Sequence, residues 1–133
     1  AHGPRNEKDY SKKINKKART KALFTILSKQ YADGAVLFVD DLALSAIKTK
    51  DAAGVMANLA KVESFEKLAS EKRTAALIVV AELNDTLAKS FANLPGATLT
   101  TAAELNPVTA MHFRHLVVVN PSAVIPVLEN KMK

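Results

Sequence analysis

The stretch AALIVV at residues 75–80 decides the fold class that we predict for this chain. A short, wholly apolar run that contains several β-branched residues is typical of a strand buried on both faces of a sheet. Three more stretches predict strands, so the sheet is expected to have four. They are AVLFV at 35–39, which also predicts a buried strand, the more polar ATLTT at 97–101, and LVVV at 116–119.

Segments with helical character lie between and around these strands. Because a helix that connects two strands returns the second strand parallel to the first, the alternation predicts a parallel sheet with helices on both faces. We therefore predict an α/β fold, a three-layer α/β/α sandwich around a four-stranded parallel sheet, in one domain over residues 11–133. The predicted helices cover 11–30, 51–61, 63–72, 84–93, 107–113 and a final segment capped by Asn120.

Polar residues, glycine and proline mark the ends of these helices. Ser11 and Asp51 are predicted N-caps, because a short polar side chain can accept a hydrogen bond from a free backbone N–H group. Gly34 is part of the predicted stop of the first helix. Pro121 suits the first position of the last helix, whereas Pro126 lies inside it and is expected to kink it or cut it short.

The positive charge of the chain is concentrated in its first thirty residues. The 133 residues carry a net charge of +6. Residues 1–30 contain nine lysines and arginines against two acidic residues, a surplus of seven, whereas residues 31–133 contain ten against eleven. This asymmetry indicates a polyanionic partner, either nucleic acid or an anionic membrane. The membrane is disfavoured because the apolar side of the first helix is needed for the core.

The segment SKKINKKARTKALFTILSKQ at 11–30 predicts an amphipathic helix that carries most of this charge. Lys13, Lys17 and Lys21 recur every fourth residue and are predicted to form a ridge on one side. Like charges at this spacing repel each other, so the ridge weakens the helix and indicates a surface that binds a polyanion. The opposite, buried side is predicted to contain Ala22, Leu23, Ile26 and Leu27.

Residues 1–10 are predicted to form a flexible basic arm, because Gly3 and Pro4 oppose regular structure and most of the other residues are polar. Tyr10 places an aromatic ring among basic residues, a combination that can stack on bases and neutralise phosphates. A loop at residues 48–50 and the neighbourhood of Arg114 are two smaller basic sites. The arm and the first helix together favour nucleic acid as the partner.

No motif for catalysis or cofactor binding is recognisable. The turns after the first two strands, VDDLALSA and VAELND, lack the glycines of a dinucleotide or phosphate loop. The chain contains no cysteine, which excludes disulfides and thiolate metal sites. His112 and His115 are three residues apart but have no third ligand nearby. We therefore predict a protein that is not an enzyme and has no metal or cofactor.

Asp40 and Asp41 support one alternative. They follow the first predicted strand, at the carboxyl edge where open α/β sheets often bind ligands. A flavodoxin-like enzyme or a phosphate-binding protein would use these carboxylates. The position of the bound ligand distinguishes this alternative from nucleic-acid binding. An enzyme or phosphate binder should bind its ligand at the carboxyl edge of the sheet, whereas RNA should protect residues 1–30 and 48–50.

Several motifs, in the same order along the chain, resemble the large-subunit ribosomal protein four family, the universal L-four protein of bacterial or organellar type. GPRNEKDYSKKINKKAR at 3–19 is similar to the family's Gly-Pro, Asp-Tyr-Ser and Lys-Lys…Arg segment. VDDLALSAIKTK at 39–50 resembles its Val-Asp-Asp-Leu strand end and Lys-Thr-Lys loop. NLPGATL at 93–99 resembles its Asn-Leu-Pro turn and third strand, and Leu105-Asn106 its next turn. The resemblance covers nearly the whole chain.

The resemblance implies an α/β/α domain with a four-stranded parallel sheet that assembles on large-subunit ribosomal RNA. We also expect other ribosomal proteins as partners, a monomer when free and no contact with a membrane. It places the protein in a cytoplasmic ribosome, with an organellar ribosome as the alternative. Some bacterial members also bind their own messenger leader as repressors. The family positions imply RNA contacts at Arg5, Tyr10, Ser11, Lys13, Lys16, Lys17, Arg19, Lys48, Thr49 and Lys50. Charge and neighbourhood add Lys8, Lys12, Lys21, Arg114 and His115.

Three features depart from the family pattern. Members usually have a preceding strand region and a long loop that reaches toward the peptide exit tunnel, and this chain is expected to begin where that loop ends. A role in the tunnel is therefore not expected. Thr20 stands where a second arginine is common. The family's Arg-His…Lys segment aligns on Arg114-His115 or is shifted by one residue.

Overall fold

A computed structural model describes residues 3–42, 44–66, 68 and 75–131. Within them, four parallel strands form one sheet in the order β1-β4-β2-β3, which confirms the predicted parallel α/β fold. The strands are β1 (Val36–Val39), β2 (Ala76–Val80), β3 (Ala97–Thr101) and β4 (His115–Val119). The helices in these residues are α1 (Lys16–Ala32), α2 (Thr49–Leu59), α3 (Asp85–Phe91), α4 (Pro107–His112) and α5 (Pro121–Asn130).

The strands β2 and β4 are neighbours in the middle of the sheet, and every residue in them is buried. Successive side chains of a strand point to opposite faces, so two separate cores form. Ile78 and Val80 of β2 lie in the core that α2 and α3 cover. Leu77 and Val79 lie in the core that α1, α4 and α5 cover. The predicted three-layer α/β/α arrangement is therefore confirmed.

The end of α1 is built as the sequence predicts. The Gly34 N–H donates to the Tyr31 carbonyl at 3.1 Å, and the Ala35 N–H donates to the Gln30 carbonyl at 2.9 Å. This pair of bonds needs a left-handed residue after the helix, and Gly34 supplies it with φ of +73°. The helix therefore stops sharply and the chain turns directly into β1.

The start of α1 differs from the prediction. The helix begins at Lys16 with Asn15 at the N-cap position, not at Ser11. The Ser11 backbone N–H and hydroxyl both donate to the Asp9 carboxylate, so Ser11 belongs to a turn of the arm. Ile14 is 59% exposed, and residues before Lys16 therefore lack the buried contacts that stabilise a helix.

The strand β1 lies at an edge of the sheet, so the prediction of a buried strand at 35–39 is wrong in that respect. It pairs with β4 on one side only. Its side chains are half-buried, and Phe38 is 47% exposed. An apolar run of five residues does not by itself reveal whether a strand is central or at an edge.

The second helical region also begins and ends differently. The helix α2 begins at Thr49, with Lys48 at the N-cap position, so Asp51 lies in its first turn and is not its cap. Residues 63–66 form turns and not the predicted helix, and Ser64 has φ of +73°. The remainder of the helix predicted over 63–72 falls largely on residues 67 and 69–72, outside the described residues.

The last three predicted helices are present. The Asn84 and Asn106 side chains cap α3 and α4 by accepting from the backbone N–H groups of Leu87 and Thr109, at 2.7 and 2.9 Å. The helix α5 continues to Asn130, so Pro126 does not cut it short. Pro126 is exposed on this helix, so a carbonyl that loses its helical partner there can bind water.

Of the helices in the described residues, none combines the length and apolar character that crossing a bilayer requires.

We expect Leu23→Ala in α1 to lower the free energy of unfolding by about 2–5 kcal/mol, because Leu23 is 3% exposed and packs against the sheet. Urea denaturation followed by circular dichroism measures this change. The control is Ile14→Ala, which removes an exposed side chain and should change stability by no more than about 0.5 kcal/mol. Equal effects of the two variants would contradict the packing of α1 described here.

Candidate nucleic-acid interface

The inner side of α1 holds the helix on the sheet. Leu23 is buried, and Ile26 and Leu27 are half-buried against the same core. The Gln30 side-chain amide donates to the Ala110 carbonyl of α4 at 2.6 Å, which fixes the C-terminal half of the helix. Ala22, which the sequence places on the buried side, is exposed. The buried side is therefore narrower than predicted.

The outer side of α1 is a cationic surface at its N-terminal half. Lys16, Lys17, Arg19 and Lys21 are all exposed, and the first turn contains no acidic residue. The positive end of a helix dipole disfavours cations by about 0.3–1 kcal/mol each at low ionic strength. Cations at this end therefore lower the stability of α1. Their presence is better explained by binding to an anionic partner than by a role in stabilising the fold.

These cations are available to a ligand. Among the residues that the structure describes, the only ion pair joins Lys29 and Asp33, four residues apart at the other end of α1. The N-terminal cations are therefore free of acidic partners within this part of the chain.

The predicted ridge of three lysines is shorter than expected. Lys13 precedes the helix, so only Lys17 and Lys21 lie one turn apart on α1. Thr20, where the family often has an arginine, is directed back to the helix, and its hydroxyl donates to the Lys16 carbonyl at 3.0 Å. The arm rather than the helix presents Lys12 and Lys13.

Because α1 begins only at Lys16, the arm extends beyond the predicted residues 1–10 as far as residue 15. Its described residues, 3–15, are exposed throughout and make local contacts only. The Lys8 ammonium lies 4.8 Å from the centre of the Tyr10 ring, and this ring is 71% exposed. The hydrogen bond from the Ser11 hydroxyl, followed by that from its N–H, lowers the pKa of Asp9. The flexibility of residues 1–10 stays a prediction, and residues 1 and 2 lie outside the described part.

The smaller basic sites lie away from α1. Lys48, Thr49 and Lys50 are exposed at the start of α2, on the other face of the sheet, so the predicted basic loop is in fact a helix N-terminus. The Lys48 N–H donates to the Ser90 hydroxyl of α3 at 3.2 Å. The two groups of predicted RNA contacts are therefore separated by the sheet.

Arg114 and His115 are adjacent in sequence but differ in exposure. Arg114 is exposed. His115 begins β4, is 8% exposed, and its ring centre lies 4.8 Å from that of Phe65. A ring in this position contributes to the core, so we do not include His115 in the interface that we propose below.

The carboxylates of the alternative hypothesis are exposed at the end of β1. Asp41 accepts the N–H of Leu42 at 2.8 Å and so stabilises the turn after the strand. Across the described ranges, no three side chains from histidine, aspartate or glutamate come together in a way that could hold a metal ion.

Lys131 is a basic residue that the sequence analysis missed. It follows α5, and its ammonium donates to the Leu105 carbonyl at 3.0 Å. It also lines a depression of about 660 Å³ together with Lys16, Lys17 and Lys21 of α1. Lys131 lies outside the basic first thirty residues, in a part of the chain that is nearly neutral as a whole, so the distribution of charge along the sequence does not single it out.

A family model described as the ribosomal protein L4/L1 family matches residues 1–129. This match extends over the arm, α1 and nearly all of the sheet domain.

Curated relatives show the same similarity. The large ribosomal subunit protein uL4 of Campylobacter concisus is 35% identical over 118 residues, which are 89% of this chain and 52% of the relative. The uL4 of Desulforudis audaxviator is 34% identical, over 87% of this chain and 50% of the relative. The uL4 of Desulfotalea psychrophila is 33% identical, over 98% of this chain and 54% of the relative. The chain spans about half the length of these relatives.

We expect the double variant Lys16→Ala, Lys17→Ala to keep or slightly raise the free energy of unfolding, by up to about 1 kcal/mol, because it removes cations from the positive end of the α1 dipole. Chemical denaturation at low salt measures the change. Lys29→Ala is the control of opposite sign, since it removes a favourable charge at the C-terminal end and the pair with Asp33. A clear loss of stability in the double variant would mean that these lysines are structural.

Proposed function

Because this chain belongs to the ribosomal protein L4/L1 family, we propose that it is a structural component of the large ribosomal subunit and binds large-subunit ribosomal RNA. The observation that carries this proposal is the cationic outer side of α1, whose inner side is held by the core. The family match supports the identity of the RNA, and the charge supports the location of the contact.

The proposed contact is mainly with phosphates. The side chains of Lys16, Lys17, Arg19 and Lys21 are exposed, long and cationic, and each can donate to a phosphate oxygen. Binding of RNA by such groups releases condensed counterions and is therefore favoured at low salt. An anion near the start of α1 also interacts well with the helix dipole. The arrangement that is unfavourable in the free protein thus becomes favourable in the complex.

The arm adds a different kind of contact. Tyr10 is 71% exposed and can stack on an unpaired base, while Lys8 beside it can reach the neighbouring phosphate. Arg5, Ser11, Lys12 and Lys13 extend the same surface from the start of the arm to the helix. We propose that this segment orders further when RNA binds, since its own contacts are local.

The basic start of α2 is proposed to contact a separate part of the RNA. Lys48, Thr49 and Lys50 lie across the sheet from α1, so one short RNA segment does not reach both sites directly. A folded RNA with two neighbouring helices can do so. Arg114, exposed before β4, is a further proposed contact.

We also propose contacts with other ribosomal proteins and a location in the ribosome, cytoplasmic in bacteria. Binding to the protein's own messenger leader, a monomeric free state and an organellar ribosome remain predictions from the family resemblance. The alternative of a flavodoxin-like enzyme or a phosphate binder at Asp40 and Asp41 is not supported, because the matched family and its uL4 members indicate a structural role. We propose no catalytic residue.

We expect RNA binding to depend steeply on salt. If about six to eight phosphates are neutralised, the logarithm of the affinity should fall against the logarithm of salt concentration with a slope of about −4 to −7. Fluorescence anisotropy with a labelled fragment of bacterial large-subunit ribosomal RNA, from low to physiological salt, gives this slope. A slope near zero would exclude the proposed electrostatic interface.

Lys17→Ala combined with Lys21→Ala should weaken RNA binding by about 1–3 kcal/mol and make the salt slope shallower by about two, since two phosphate contacts are lost. Thermal stability should not fall. The control is Lys29→Ala combined with Lys61→Ala, which removes the same charge from the far end of α1 and from the end of α2. If both pairs weaken binding equally, the RNA responds to net charge and the outer side of α1 is not the interface.

A further inference from the structure

Lys131 connects three segments of the chain that are distant in sequence. It follows α5, and its ammonium donates to the carbonyl of Leu105, in the turn between β3 and α4. Its side chain is partly buried and faces Lys16 and Thr20 of α1 across a depression. The hydrogen bond uses one of the three N–H donors of the ammonium and leaves two for another partner.

Two depressions meet at this point. The larger, about 660 Å³, runs along the outer side of α1, and the smaller, about 310 Å³, lies between α1 and the turn after β3. Lys16, Thr20 and Lys131 line both, so the two form one elongated cleft, here called the Lys131 cleft. Its remaining basic side chains are Lys17, Arg19 and Lys21. No acidic residue lines either part.

The Lys131 cleft is electrostatically unfavourable when empty. Five cationic side chains from two parts of the chain line it, and none of them has an acidic partner among the described residues. Burial also lowers the pKa of Lys131, because removing the ammonium from water makes its charged form less favourable. An anion in the cleft would reduce both the repulsion and the cost of desolvation.

We propose that Lys131 is an RNA-binding residue and that the Lys131 cleft holds a stretch of RNA sugar-phosphate backbone. This inference rests on the proposed function, because it takes RNA as the ligand. The elongated shape suits a polymer with several phosphates better than one small anion. Phe24, the aromatic residue of the lining, is only half exposed, so little ring surface is offered to a base. The cations can donate to phosphate oxygens, whereas the hydroxyls of Thr20 and Thr25 already donate to the carbonyls of Lys16 and Lys21.

Contacts with phosphate fix the position of RNA but do not read its sequence. Lys131 should therefore contribute equally to the binding of specific and non-specific RNA. Its bond to Leu105 holds the ammonium in place before RNA arrives, so less side-chain entropy is lost on binding.

The test compares Lys131→Gln and Lys131→Arg with the control Lys61→Gln, an exposed lysine at the end of α2. The probes are a labelled fragment of bacterial large-subunit ribosomal RNA and a labelled 20-nucleotide poly(U), with anisotropy measured over a range of salt. Lys131→Gln should weaken binding of both RNAs by about three- to tenfold, because the glutamine amide can replace a charge-assisted hydrogen bond only by a neutral and weaker one. It should also make both salt slopes shallower by about one. Lys131→Arg should restore the slope, and Lys61→Gln should not change it.

The outcomes separate this inference from the proposed function. If the unchanged protein binds neither RNA, the proposed function fails. If it binds RNA with a steep salt slope that Lys131→Gln leaves unaltered, only the role of Lys131 is overturned. The slope is a property of the bound complex, so a change in thermal stability of the variant does not imitate this result.

Titration with inorganic phosphate distinguishes the polymer from a small anion. The NMR signal of the Lys131 side chain should shift when the ribosomal RNA fragment is added and should barely respond to millimolar phosphate. If phosphate produces the same shift and competes with the RNA, the cleft is a small-anion site and the proposal of an RNA backbone is overturned.

Discussion

Burial of β2 and β4 on both faces is the constraint on which the rest of the structure depends. Every residue of these two strands is buried, and their side chains point alternately into two cores. Helices must cover both faces to keep this apolar surface from water. The helix α1 is one of those covers, and Leu23 fixes which of its sides is turned inward. The direction in which its cations point is therefore a consequence of packing.

The arrangement of the surface charges lowers the stability of the free protein. Cations begin α1 at the positive end of its dipole, without an acidic residue in the first turn, and Lys131 brings another cation to the same cleft from the end of α5. Each contribution is small and screened by salt. Their common direction supports our proposal that a polyanion completes the surface, and the match to a ribosomal protein family favours RNA as that polyanion.

Much of the fold follows from local sequence patterns, and the failures have physical causes. The run AALIVV predicted β2, and Gly34 predicted the end of α1, because burial of an apolar run and a left-handed turn at glycine depend on the residues themselves. The predicted start of α1 was wrong because the pattern of lysines continues into the arm, where no contact with the core stabilises a helix. The edge position of β1, the burial of His115 and the place of Lys131 depend on which segments meet in space, and no local pattern contains that information.

The central claim is that the cationic outer side of α1 and the arm hold the chain on large-subunit ribosomal RNA while the core holds its fold. Crosslinking of the protein to RNA in cells, followed by sequencing of the attached RNA, tests it most directly. The account predicts that the attached RNA is mainly large-subunit ribosomal RNA, concentrated in a few neighbouring segments. Crosslinks spread evenly over cellular RNAs, or the absence of enrichment for ribosomal RNA, would contradict it.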